Sequence, residues 1–371
     1  MKIVHVIEPL AGGMVTFLTS LVENLPEDDH LIVHGEREHV TPLTDVKKQF
    51  VYPNVKFIRW ASARRNLGKK DIPAFIELYT ILKRLKNKNL LDIVHLHCSK
   101  GGFIGRVVCR LLGLQHLVIF TPNGAPFMAG SNRVSNFFYK KLEKLASLFG
   151  GQVVCCSPSE QEAYNKAGID AITINNGIPY KKIIRHRKTH KKDAIFRVVT
   201  SGRIVDQKDP ELFNAIASYF EEFRNFEFIW VGDGEARDLL TAKNIRVTGW
   251  LAPGKAHDTV AGADVYISTA RYEGLPFAVL EALAMNMPVL LKDCVGNKDL
   301  INSLNGAVFS DENDAIYRLL QFSNNASMLK VMGQHSGAHC KMNFNLADTF
   351  RRYEKLYQQA SLMPELLYPL K

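Results

Sequence analysis

Short, almost continuous apolar runs alternate along this chain with longer stretches in which apolar residues return every three or four positions. Runs of the first kind fit strands buried on both faces, and stretches of the second kind fit amphipathic helices. In the first half the pattern predicts strands at residues 2–7, 31–34, 55–60, 92–97, 116–121, 152–157 and 171–175. Helices at 14–25, 72–85, 103–112, 132–149 and 158–167 lie between them. The alternation then restarts, with strands at 197–201, 226–231, 245–248, 265–268 and 289–291 and helices near 209–223, 236–242 and 276–285. Strands separated regularly by helices predict an α/β protein with mostly parallel, doubly wound sheets. Two such sheets leave a cleft at their carboxyl ends, the usual ligand site of open α/β sheets.

Between the two series, Asn175-Asn176-Gly177-Ile178-Pro179 has turn chemistry, and the basic tract 181–192 reads as an exposed linker. The domains are therefore expected at 1–178 and 179–344. No internal repeat relates them. A last periodic stretch, 345–362, predicts a long helix whose partner domain periodicity does not reveal.

Composition narrows the class. At 371 residues the chain exceeds a typical single core, and 46% hydrophobic with 23% charged residues is ordinary for a globular protein and excludes extended disorder. No run of 18 apolar residues occurs, and Glu8 breaks the opening apolar run early. Neither a membrane span nor a signal peptide is expected, and a cytoplasmic location is. Cys98, Cys109, Cys155, Cys156, Cys294 and Cys340 show no CxxC or zinc spacing and are expected as reduced thiols.

The net charge of +10 is uneven: +7 over residues 1–178, +7 over 179–192 and −4 over the rest. Concentrated positive charge suits nucleic acid, an anionic membrane surface, or no specific partner. Two stretches stand out, 64–70 and the helix-like 132–149. In the second, Lys140, Lys141 and Lys144 accompany Phe137, Phe138, Leu142, Leu145 and Phe149, so it fits a helix lying on a membrane and equally a packed helix with a solvated basic face.

Candidate chemistry gathers at strand ends. In Glu273-Gly274-Leu275-Pro276, seven residues before Glu281 is reached, Glu273 falls in a strand-to-helix turn where helix amides favour anions. Glu281 lies inside the following helix, where a carboxylate suits two vicinal hydroxyls such as those of a ribose. Alone, the pair equally fits a capping glutamate and a solvated helix glutamate. Gly202-Arg203 and Lys208 follow the first strand of the second series, so both cations can reach a diphosphate. Gly12-Gly13-Met14 follows the first strand of the chain; paired glycines there allow close backbone approach but are not the dinucleotide fingerprint. Val231-Gly232-Asp233-Gly234 closes another strand with a turn.

Together these motifs, in this order and spacing, resemble the GT-B fold glycosyltransferases, specifically the retaining enzymes of family four of the bacterial surface-polysaccharide type. The resemblance implies two Rossmann-like domains facing across a cleft, an acceptor domain (1–178) and a donor domain (179–344), with the C-terminal helix, about 345–371, packing back onto the first. It implies that Arg203 and Lys208 neutralise the donor diphosphate, that Glu273 and the segment Gly274, Leu275 and Pro276 hold the donor sugar, and that Glu281 binds the ribose. Gly13, Gly202 and Gly232 belong to the donor site. Gly12, Met14, Lys100 and Asn123 belong to the acceptor side. Where many relatives carry a histidine after the fifth strand this chain has Asn123, which hydrogen-bonds a hydroxyl but is neither acid nor base near neutral pH. His97, ending the fourth strand, is a second candidate at the cleft rim, while His95 on the same strand face is expected to be structural.

The expected reaction transfers a hexosyl or N-acetylhexosaminyl group, with retention, to a hydroxyl of a glycan or a polyprenyl-diphosphate-linked sugar. Its main demand is stabilising negative charge on the leaving diphosphate. No Asp-x-Asp occurs, so metal-independent transfer without a cofactor is expected. The resemblance favours a UDP-sugar donor over GDP-mannose, and an acceptor at the inner membrane face, which makes the protein peripheral there. A GT-B enzyme of different chemistry, such as a sugar-nucleotide epimerase or a transferase to a small soluble acceptor, stays open. A pI of 9.2 also suits nucleic acid, but no reading module is present and no nucleic-acid partner is expected.

Overall fold

The computed structural model of the chain describes residues 1–8, 10–36, 43–63, 71–124, 126–128, 133–186 and 194–362. The basic stretch 64–70 and residues 187–192 of the basic tract 181–192 lie outside the described residues. Residues 1–128, 133–176 and 347–362 form one compact unit and 177–346 a second.

In the first unit β1 (Lys2–Ile7), β2 (Asp29–His34), β3 (Val55–Arg59), β4 (Ile93–His97), β5 (Val118–Thr121), β6 (Gln152–Cys155) and β7 (Ala171–Thr173) form one parallel sheet in the order β3-β2-β1-β4-β5-β6-β7. The strands are short because burial on both faces needs only a handful of apolar residues; β4 is buried along its whole length. Val4, Val6, Val94, Leu96 and Phe120 pack against Leu78, Leu82 and Val108 of the flanking helices. Register places Ile7 beside His97 and His97 beside Thr121, so the loops leaving β1, β4 and β5 emerge next to one another at the carboxyl edge.

The helix expected from residue 103 begins one turn earlier, at Ser99, and runs to Leu111. Gly101 and Gly102, which read as loop, are in it because the helix lies directly on the sheet. A Cβ on Gly102 would stand 2.1 Å from the Phe120 ring. The C-terminal helix Leu346–Leu362 packs within this unit: Phe350 and Tyr353 meet Phe17, and Thr349 Oγ1 donates to the Asn175 carbonyl at 2.9 Å.

In the second unit β8 (Phe196–Ser201), β9 (Phe226–Val231), β10 (Ile245–Val247), β11 (Val265–Ser268), β12 (Val289–Lys292) and β13 (Gly306–Phe309) form a parallel sheet in the order β10-β9-β8-β11-β12-β13. Strand β13 was not expected, since Gly306-Ala307 supplies little apolar signal. The helices Pro253–Val260, Glu312–Ser323 and Ala326–Asn343 were likewise not expected. The helix expected at 236–242 is only a short turn, Arg237–Leu239. Asn214 Oδ1 accepts the amides of Thr241 and Ala242 at 2.7 and 2.9 Å, which draws them out of any helical ladder.

Candidate functional site

Of the residues expected at the donor site, all but Gly13 lie within the second unit. Lys208 closes the short turn Asp206–Lys208 after β8, and Glu273 follows β11, the neighbouring strand. Lys208 Nζ meets Glu273 Oε1 at 2.5 Å. The Lys208 side chain is 23% exposed and that of Glu273 11%, so the pair faces outward from a shielded position. Burial alone would lower the Lys208 pKa, but the Glu273 carboxylate together with Tyr266 and Cys294 offsets this, and the ammonium is held above its ordinary range.

Three hydrogen bonds to main-chain carbonyls strap the two loops together. Thr269 Oγ1 donates to the Lys208 carbonyl at 2.7 Å, the Arg271 amide to the Gln207 carbonyl at 2.9 Å, and Gln207 Nε2 to the Tyr272 carbonyl at 3.1 Å. Arg271 also pairs with Asp209 at 2.9 Å. Asp209 sits in the left-handed region at φ 53° and caps the helix Pro210–Tyr219. Glu273 donates its amide to Val295, and Gly274, Leu275 and Pro276 lead into the helix Phe277–Ala284. Pro276 is the N-cap rather than a first-turn residue.

Gly202 and Gly232 make the turns beside this pair. The Gly202 amide donates to Val231 at 2.9 Å, and Trp230 Nε1 donates to the Gly202 carbonyl at 3.0 Å. Gly232 has φ 142°, and a Cβ there would lie 2.2 Å from the Gly202 oxygen. Arg203 leaves the same strand end half-buried. Glu281, half-buried, has a partner that the pattern concealed: His257 Nε2 lies 3.4 Å from its Oε2. That hydrogen bond outweighs burial and raises the His257 pKa. A lone histidine in the weakly patterned helix Pro253–Val260 carries no signal of this kind.

In the first unit Gly12, at φ 57°, caps the helix Gly13–Asn24, and both glycines are exposed. Met14 turns into the buried face. Lys100 is paired with Asp71 at 2.5 Å and only 9% exposed, which leaves it a neutralised rather than an open cation. Asn123 is half-buried at φ 56°, with its Nδ2 donating to the Thr121 carbonyl at 3.1 Å.

His97 requires a correction. It is wholly buried instead of lying at a rim. The register that aligns β1 and β4 brings His5, His95 and His97 together, with possible ligand nitrogens within 4.8 Å of one another. Hydrogen bonds engage every ring nitrogen of the three except His97 Nδ1. His95 meets Tyr357 at 2.7 Å and Thr121 at 2.8 Å. A second series runs from the Leu25 carbonyl to His30 (3.1 Å), to His5 (3.1 Å) and to His97 (3.2 Å). Since a carbonyl only accepts, His30 Nε2 carries the proton; as neutral imidazoles, His5 Nε2 then donates to His30 Nδ1 and His97 Nε2 donates to His5 Nδ1.

Burial, with repulsion from neighbouring histidines, pushes the His5 and His95 pKa values well below the usual range, and burial lowers that of His97 to about 3. The unfolded chain takes up these protons below about pH 6.5, while the folded one does not. Stability is therefore complete above that pH and lost as pH falls, by about 1.4 kcal/mol per pH unit for each such histidine. The melting temperature is expected to drop steeply between pH 7 and 5; a flat profile would contradict the neutral network.

Comparison with known proteins decides the family. Residues 11–182 match the family model described as Glycosyltransferase Family 4, and residues 195–325 the model described as Glycosyl transferases group 1. The chain is a family-four glycosyltransferase of the GT-B fold. This glycosyltransferase is 26% identical to the UDP-Gal:alpha-D-GlcNAc-diphosphoundecaprenol alpha-1,3-galactosyltransferase of Escherichia coli, over 96% of each chain. It is also 26% identical to the O-antigen biosynthesis glycosyltransferase WbnH of Escherichia coli, over 68% of this chain and 73% of that one. Among solved structures it is similar to Anabaena Alr3699/HepE in complex with UDP and glucose, with a TM-score of 0.75 at 15% identity, over 96% and 99% of the two chains.

Proposed function

We propose that the protein transfers a hexosyl or N-acetylhexosaminyl group from a UDP-sugar to a hydroxyl of a polyprenyl-diphosphate-linked glycan, with retention and without a metal, during assembly of a surface polysaccharide. The observation that carries this reading is the Lys208–Glu273 pair at 2.5 Å, strapped to one strand end. It sets a cation suited to phosphate beside a carboxylate suited to sugar hydroxyls. The second unit is then the donor domain, and the first the acceptor domain. The donor and acceptor classes follow the names of the relatives, above all the Escherichia coli galactosyltransferase.

In this reading the bond between the anomeric carbon and the diphosphate breaks, and the electron pair leaves with the phosphate oxygen. Lys208, Arg203 and the amides opening the helix Phe277–Ala284 stabilise that charge. The acceptor oxygen bonds the anomeric carbon from the face the phosphate leaves, and its proton passes to the departing phosphate. Glu273 orients the sugar, while Glu281, held by His257, takes the ribose.

A lipid-linked acceptor agrees with the helix Arg133–Ser147. Val134, Phe137 and Phe138 are more than half exposed, and Lys140, Lys141 and Lys144 belong to the same helix. Among the described residues no helix is long and apolar enough to cross a membrane, so attachment through this face to an anionic bilayer is the proposed mode. The test is transfer from labelled UDP-sugars to a polyprenyl-diphosphate-linked sugar in anionic vesicles, with flotation at low salt. Transfer and flotation are expected, and Phe137→Ser with Phe138→Ser should weaken flotation about tenfold or more while UDP binding persists. Failure to turn over any UDP-sugar overturns the function. Transfer without flotation overturns the membrane attachment alone.

A further inference from the structure

One buried carboxylate has no part in the chemistry above. Glu160, in the helix Pro158–Lys166, is fully buried. Ser157-Pro158-Ser159-Glu160 has the spacing of a capping box, and Ser157 Oγ accepts from the Glu160 amide at 3.2 Å. Yet the carboxylate reaches beyond its own helix. Its Oε2 accepts from the Cys156 amide at 2.8 Å and faces the Cys156 thiol at 3.2 Å. Its Oε1 accepts from the Gly124 amide at 2.7 Å, across 36 positions of sequence.

Gly124 is the residue after Asn123, and both have positive φ, 89° and 56°. Two such residues in succession, just beyond the end of β5, have no sheet ladder to hold them, and asparagine in this region needs local support. The Glu160 tie supplies it. Next to it, the Asn123 side chain is set by its own bond to the Thr121 carbonyl. Only the amide end of a carboxamide can face a carbonyl oxygen, so Oδ1 is turned the other way as an acceptor. A buried carboxylate is costly unless donors meet its lone pairs, and here two backbone amides do.

Resting on the functional reading above, and with Asn123 of the loop after β5 on its acceptor side, we infer that Glu160 is a positioning residue for that transfer. By holding the Gly124 amide it fixes Asn123 with Oδ1 presented to a sugar hydroxyl. The ligand class is a neutral hydroxyl donor, which the side chain recognises without exchanging a proton.

The test is a double-mutant cycle on Glu160→Gln and Asn123→Ala, reading kcat, KM for the donor and the affinity for UDP, together with amide exchange at Gly124. A glutamine has one acceptor oxygen for two amides, so one tie must be lost. Glu160→Gln is expected to speed exchange at Gly124 and lower kcat about tenfold, with the UDP affinity unchanged. The double variant should be no slower than the slower single one. Wild-type kcat in Glu160→Gln despite faster exchange, or losses that multiply in the double variant, would overturn the inference. So would full activity of Asn123→Ala. Glu160→Asp, which keeps the charge but is a methylene too short, gives the same readout where Glu160→Gln does not fold. Wild-type protein that binds no nucleotide and transfers no sugar overturns the functional reading and this inference with it, whereas the other outcomes overturn this inference alone.

Discussion

Lys208→Ala is expected to lower turnover by about 100- to 1,000-fold, the usual cost of removing a preorganised group that stabilises charge developing in a transition state. An ammonium has three donors. In the structure one is spent on Glu273 at 2.5 Å, and the others remain for phosphate oxygens. Removing the ammonium takes the cation from the leaving group and also frees Glu273, a buried residue, from its partner. A drop of a few degrees in melting temperature should accompany the loss of rate, with unfolding still cooperative. Initial rates with the preferred donor, beside thermal unfolding of the same sample, separate the two effects. Near-normal transfer by a folded variant would remove Lys208 from the site.

The largest effect on stability is expected at Gly232. An alanine there must accept φ 142° and place its Cβ 2.2 Å from the Gly202 oxygen. That oxygen has no room to withdraw, because Trp230 Nε1 already holds it at 3.0 Å and the Gly202 amide is tied to Val231. A backbone clash plus a disfavoured dihedral places Gly232→Ala among exceptional substitutions, about 4 kcal/mol or more. The control is Gly254→Ala in the helix Pro253–Val260. The nearest atom to its added Cβ is a His186 carbon at 4.0 Å, so it should be neutral or slightly stabilising. Urea unfolding of both variants decides the matter. Equal midpoints would show that the turn can open.

Much of this architecture was readable because buried parallel strands are apolar almost without interruption. β9 and β11 run over the residues their patterns predict. Elements escaped where local pattern and tertiary packing part company. Gly101 and Gly102 look like a loop until Phe120 is placed beneath them. The stretch 236–242 looks like a helix until Asn214 takes its amides. In the site, Lys208 and Glu273 were legible as types at strand ends, but their direct pairing was not, since they are 65 positions apart. His97 was misplaced for a related reason. Sequence shows that a strand ends in histidine, whereas its fate depends on which side chains the strand pairing gathers on its face, and here those are His5 and His95. Glu160 does leave a trace in the sequence, the capping-box spacing from Ser157, but that spacing does not point to Gly124.

The straps between the β8 and β11 loops bear on how this enzyme can be altered. Every carbonyl they use, those of Gln207, Lys208 and Tyr272, belongs to the main chain. On the proposed reading, a designer who changes the side chain of Leu275 to admit another sugar leaves all three anchors untouched. Donor preference can thus be diversified, by selection or in a library, on a platform whose charge-stabilising geometry is inherited unchanged.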